Sequence, residues 1–260
     1  MSADPPDEPF AFPVDDVELE SVFGAGSPAE ICAAVLTEAR IVLPEVVTAL
    51  DGELWGSDIV AALRSARIPA ATVAAAAERS GTPEALAMLR VLGAVGPAGL
   101  GEEAAAAAGR LAAQGISEPG WAAALGSPAV GECWRYGDAL GAHEAVTMSF
   151  RYGREAHVVS VLIDYAEGGA IRDIWVGAMA DVLARTRALS AADPGMTFEM
   201  ITPQDARARM HRAIAAGECP RQPEEISNVA SRWAILRARV GQLPAQARGR
   251  PPRGRPPRGR

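Results

Sequence analysis

The apolar pattern of this chain changes period near residue 128, and that change constrains the fold more than any other feature. From residue 28 to about 126, apolar residues recur three and four apart in blocks broken by Gly or Pro. Between residues 132 and 177 the pattern turns to alternation, as in Val146, Met148 and Phe150 against Thr147, Ser149 and Arg151. Helical spacing then returns. The order predicts an α+β protein: an N-terminal bundle of short Ala-rich helices, then a small antiparallel β-meander packed with C-terminal helices. The expected divisions are an acidic arm at 1–27, a helical subdomain at 28–128, an α+β subdomain at 129–244 and a basic tail at 245–260.

Local signals place the helix starts. Ser27-Pro28-x-Glu30 reads as a capping box, followed by Ile31, Val35, Ala39 and Val42 on one face. Ser57 or Asp58 is expected to cap "GSDIVAALRSAR". Thr82 and Thr202 each precede a Pro at a first helical position, and Gly81 ends a helix. Glu102 and Glu103 are expected in a first turn, where they suit the helix dipole. No fixed repeat length emerges, so a solenoid is not predicted. Ile226, Val229, Trp233, Leu236, Val240 and Leu243 form a seam on the last helix, with Arg232, Arg237 and Arg239 expected on its solvated side.

The segments "ECWRYGD", "HEAVTMSFRYG", "EAHVVSVLIDY" and "GAIRDIWVG" predict a meander of three or four strands with a turn at Gly153. "MTFEMI" is a short strand at the sheet edge. His143 opens one strand and His157 the next, which suggests that the two lie close together. His157 and Asp164 fall on opposite faces of a regular strand and make a poor catalytic pair, so His157 is expected as an ordinary sheet residue.

All 25 basic residues are Arg. With the abundant Ala, Gly and Pro, this predicts a GC-rich, actinobacterial source. The net charge is −7. Removing the six Arg of residues 248–260 leaves 19 Arg against 32 acidic residues, a net −13 for the rest. Such a body repels phosphate, so any contact with nucleic acid must be local. No apolar run reaches the length of a bilayer span. "MSADPPDEPF" is acidic and Pro-rich, unlike a signal peptide, so the expected location is cytoplasmic.

Cys32, Cys133 and Cys219 are too far apart for a metal or disulfide framework and are expected as free thiols. Gly24-x-Gly26 has no preceding strand and no third Gly, so it is not a dinucleotide fingerprint. G-x-S-x-G, P-loop, H-E-x-x-H and Cys–His patterns are absent, and no cofactor or metal is implied. The most polar turn is "LIDYAEGGAIRD", with Asp164, Glu167, Arg172 and Asp173 around Gly168-Gly169. These groups make a possible ligand site near Tyr136, Asp138, Tyr152 and Tyr165; the alternative is a plain polar hairpin turn with Arg172 paired to a carboxylate.

The C-terminal "RGRPPRGRPPRGR" repeats Arg-Gly-Arg three times at a spacing of five. Alternating Pro and Gly exclude a helix or a core strand. Pro252-Arg253-Gly254-Arg255-Pro256 resembles the core of the AT-hook family. Arg248-Gly249-Arg250-Pro251 is a near copy, and Arg258-Gly259-Arg260 lacks its closing Pro. The resemblance covers only this tail. It implies that Arg253 and Arg255 lie along the floor of an A/T-rich minor groove, with Arg248, Arg250, Arg258 and Arg260 adding phosphate contacts. Nucleoid silencers of actinobacteria use a similar insertion. The body resembles segments of uncharacterised actinobacterial proteins, a likeness that implies no activity.

Three readings follow: a DNA-associated accessory protein whose body binds a protein partner or dimerises, a small enzyme or ligand-binding protein, and a structural interaction module with a non-functional tail. The tail also fits RNA or another polyanion.

Overall fold

The structure, a computed structural model, describes residues 26–217 and 223–245. The acidic arm up to residue 25, Cys219 and the Arg-Gly-Arg tail lie outside these residues. The fold is α+β, with eight α-helices and a five-stranded antiparallel sheet among the described residues. Five helices come first: α1 (Pro28–Val42), α2 (Ala49–Ser65), α3 (Ala70–Ser80), α4 (Pro83–Val95) and α5 (Ala98–Ala113). The sheet follows as β1 (Ala129–Asp138), β2 (His143–Tyr152), β3 (Glu155–Asp164) and β4 (Ala170–Ala178). Then come α6 (Met179–Ala192), β5 (Met196–Ile201), α7 (Pro203–Ala216) and α8 (Pro223–Gln242).

Strand order is β4-β3-β2-β1-β5, so a four-stranded meander gains a fifth strand on the β1 edge. Gly153, at φ 57°, and Arg154 form the two-residue turn between β2 and β3. That turn sets His143 opposite Asp164 and His157 opposite Phe150. The two histidines therefore sit at opposite ends of the hairpin, contrary to the expectation that they adjoin.

The Ser27–Glu30 capping box forms, and Ile31, Val35, Ala39 and Val42 are all buried. Thr82 and Thr202 cap α4 and α7 as expected. Two helix starts differ from expectation. Helix α2 begins at Ala49 behind a Thr48–Asp51 capping box and runs straight through Gly56 and Ser57. Its glycines are close-packing positions rather than breaks. A Cβ on Gly56 would lie 2.2 Å from a Val91 methyl, and one on Gly52 would lie 3.3 Å from the Trp121 ring. Helix α5 begins at Ala98 behind Pro97, which moves Glu102 and Glu103 out of the first turn.

One core fills the helical half around Leu86, Met88, Leu89 and Leu92 of α4. A second lies between the sheet and α7 and α8, where Met148, Phe150, Val159 and Val161 meet Met210, Leu236 and Val240. Burying each such side chain stabilises the fold by about 1.5–3 kcal/mol. Helix α8 joins the halves, since it packs on both α2 and β4. The buried Ser57 hydroxyl donates to the Ser231 carbonyl and accepts from the Ile235 amide at 3.2 Å. These are the two ends of one helical rung, so α2 is tied into the backbone of α8. Among the described residues no helix is long and apolar enough to cross a membrane.

Candidate functional site

Asp164 ends β3 and caps a single 3-10 turn, Tyr165–Glu167, by accepting from the Glu167 amide at 3.3 Å. Gly168 and Gly169 follow at φ 78° and 82°, a path that side chains with a Cβ resist. The Asp164 side chain is only 1% exposed. Its Oδ2 lies 3.7 Å from Arg172 Nη1 and 3.6 Å from His143 Nε2. Arg172 reaches it from a register shift in the β3–β4 ladder between Leu162 and Ile163.

Asp138 closes the far side of His143, with Oδ2 at 3.8 Å from Nδ1. The Asp138 carboxyl accepts from the backbone amides of His143 at 2.6 Å and Ala142 at 3.1 Å. These amide bonds hold its pKa below the ordinary carboxylate value. The half-exposed His143 ring thus stands between two carboxylates at one end of the sheet. Arg172, Asp164, His143 and Asp138 offer a cation, a buried acceptor and a proton-carrying ring within a few ångströms.

The other residues expected here take different places. Asp173 is occupied with packing, accepting from Asn228 Nδ2 of α8 at 2.6 Å and from the Ile174 amide at 2.7 Å. The Glu167 side chain is exposed. Tyr165 is next to the site, its pKa raised by burial. Tyr136 lies on β1 opposite Ala145. Tyr152 is at the far end of the hairpin and does not belong to this site. Among the described residues no group of three or more His, Cys, Asp or Glu could hold a metal ion. Cys32 and Cys133 are buried free thiols, and burial raises the Cys133 pKa to about 11.

A second constellation was not foreseen from the sequence. Glu53 of α2 and Arg239 of α8 are both 0% exposed and form an ion pair through Oε2 and Nη2. Glu53 Oε1 accepts from the Tyr152 hydroxyl at 2.6 Å and from the Gly126 amide at 2.8 Å. Arg239 Nε donates to His157 Nε2 at 3.3 Å. The guanidinium also lies 5.4 Å from the Phe150 ring centre and 5.5 Å from that of Tyr152. Burial, and then the Arg239 charge, push the His157 pKa down to about 3. His157 is therefore neutral at physiological pH and accepts through Nε2. Burial raises the Tyr152 pKa, so its hydroxyl stays a donor.

This arrangement corrects two expectations. Arg239 is not on a solvated face, because α8 buries a second stripe, Ile235 and Arg239, toward α2. His157 is not a routine sheet residue but part of the junction between the two halves. Arg232 and Arg237 do lie toward the surface, Arg232 pairing with Asp58 at 2.8 Å.

The Arg-Gly-Arg residues Arg248 to Arg260 lie outside the described residues. The described chain leads up to them at Ala245, and Arg207 of α7 donates to the Leu243 carbonyl just before. No family model, curated protein or solved structure matches this chain.

Proposed function

We propose that this protein is a DNA-associated accessory factor whose tail binds A/T-rich minor groove while its body engages a protein partner. The observation that carries this reading is the threefold Arg-Gly-Arg repeat, set on a chain that is otherwise strongly acidic. Gly249 and Gly254 leave room for the groove walls, and Pro251, Pro252 and Pro256 keep the chain from coiling. Arg253 and Arg255 are drawn to the narrow groove of A-tracts, where negative potential is greatest. One such unit binds weakly, and tandem units add through effective concentration.

The test is fluorescence anisotropy of the full chain on two labelled duplexes, one with an A/T tract and one all G/C, over a salt series. Selective binding to the A/T duplex that Arg253→Ala/Arg255→Ala removes is the expected result. Equal binding to both duplexes that fades in moderate salt would reduce the tail to a polycation.

A second reading rests on a different observation, the buried Asp164 carboxylate between His143 and Arg172. It makes the body a receptor for a small polar ligand with a hydroxyl or amine for Asp164 and an acceptor for Arg172. Thermal-shift screening of small hydroxy acids and amino acids checks it. A stabilising ligand whose effect disappears in Asp164→Asn supports the site, and an unchanged effect removes it.

A further inference from the structure

The two edges of the sheet are treated differently. At the β4 edge α8 packs on the strand, Asn228 of α8 donates to Asp173 at 2.6 Å, and the Ile171 amide donates to the Gly217 carbonyl at 3.1 Å. At the other edge, no strand among the described residues lies beyond β5, and no backbone–backbone bond outside the β1 ladder involves Thr197–Ile201. An open edge strand is a template for another chain, and edges that must stay single are blunted by Pro, Lys or a bulge. β5 has none of these. "MTFEMI" holds no Pro and no basic residue, and its register with β1 runs without a shift from Ile201 opposite Cys133 to Met196 opposite Asp138. Its one charge, Glu199, is drawn across the sheet to Arg135 at 3.0 Å.

The strand's own pattern selects the partner. Met196, Phe198 and Met200 share one face, and Thr197 and Glu199 share the other. Met-x-Phe-x-Met reads the same from either end. Two antiparallel copies centred on Phe198 therefore oppose Phe198 to Phe198 and Met196 to Met200 on one face, and Thr197 to Glu199 on the other. Centring on Glu199 instead opposes two like charges. The apolar face is unfinished within one chain. Met200 is 65% exposed, and so is half of Leu189 on α6, which packs on β5. Leu189 follows shortly after Arg187, whose guanidinium lies over the Phe198 ring at 5.8 Å, and precedes Ser190, which donates to the Met196 carbonyl at 3.4 Å.

We propose that two copies of this chain pair through β5, antiparallel about a twofold axis at Phe198, so that their sheets join into one continuous sheet. A pairing of two short strands makes a small interface, and the expected affinity is about micromolar. Such a dimer brings two Arg-Gly-Arg tails together, but the proposal uses no residue of the tail and stands apart from the DNA reading.

The experiment is sedimentation velocity of the full chain over about 1–100 µM, in roughly 0.3 M salt to screen the arm and the tail. A monomer–dimer equilibrium is the expected result. Met200→Lys changes an exposed side chain, and it should weaken association at least about tenfold with an unchanged circular dichroism spectrum. Met200→Leu should retain the dimer. Met196→Glu/Met200→Lys should restore it, because each new cation then faces a carboxylate of the other copy. A monomer at every concentration would overturn the proposal. So would a dimer indifferent to Met200→Lys, or a double variant that stays monomeric.

Discussion

The two ends of the β2–β3 hairpin carry similar residues in opposite settings. At one end His157 and Tyr152 meet Glu53 and Arg239; at the other, His143 meets Asp138, Asp164 and Arg172. Each has a histidine, a carboxylate and an arginine. At the closed end Glu53 and Arg239 have no exposure, and two elements distant in sequence meet across the pair. At the other the histidine side chain is 48% exposed and its carboxylate contacts exceed hydrogen-bond length. Burial separates the roles. Groups locked on every side hold the two halves of the molecule together, whereas at the other end His143 is open to an approaching ligand, with Asp164 buried behind it. A constellation of catalytic residue types is thus not in itself a site.

The comparison is tested hardest at Arg239. Arg239→Ala leaves Glu53 buried without its cation, and the expected loss is about 3–5 kcal/mol of unfolding free energy. A urea titration reads this as a large fall in midpoint. A loss below about 1 kcal/mol would mean that water reaches Glu53, and the contrast between the two ends would fail. Replacing both partners, Glu53→Gln/Arg239→Met, should cost less than the single change, because no charge is stranded and the new amide oxygen can still accept from the Tyr152 hydroxyl or the Gly126 amide.

The next effect is one of pH. The folded pKa of His157 is near 3. An unfolded histidine titrates near its ordinary value, so below about pH 6.5 the unfolded chain binds a proton that the folded chain refuses. The His157 contribution is complete above that pH and is lost as pH falls toward 3. Between pH 6.5 and 4.5 the loss is on the order of 2–3 kcal/mol. Stability curves at several pH values should show this slope, and His157→Gln should flatten it. A slope that survives His157→Gln would assign the proton elsewhere.

The helical half was legible because its rule is local. Ile31, Val35, Ala39 and Val42 share a face whatever lies beyond them, and Ser27 caps from three residues away. The errors arose where a distant partner decides. Gly56 looks like a helix break until Val91 is seen against it. Arg239 looks solvated because its partner Glu53 lies 186 residues away, and α8 carries two buried stripes rather than one. The His143–Asp164 contact could have been found. The two-residue turn at Gly153-Arg154 fixes the register, and that register sets the two opposite each other. The pairing that this turn dictates is as local a signal as the strands themselves.

Smaller effects belong to the open end. Asp164→Asn keeps the size of the side chain and its ability to accept from the Glu167 amide, but removes the charge facing Arg172 and His143. The expected cost is about 1–2 kcal/mol, less than that of Arg239→Ala because the facing Arg172 and His143 keep contact with water and are not stranded. Calorimetry at neutral pH measures it. A cost near that of Arg239→Ala would make this end structural as well.

The smallest effect should come from His143→Ala. Its ring contacts are 3.6 and 3.8 Å long, and the short Asp138 bond goes to its backbone amide, which any residue supplies. Removing the ring therefore should change stability by no more than about 0.5 kcal/mol. If the second functional reading holds, the same change should abolish the thermal shift produced by a ligand that Asp164 recognises. Stability kept and ligand response lost would mark this end as the working one. Stability lost by more than about 1 kcal/mol would instead make His143 a brace between two strand ends, the same office that His157 performs at the closed end.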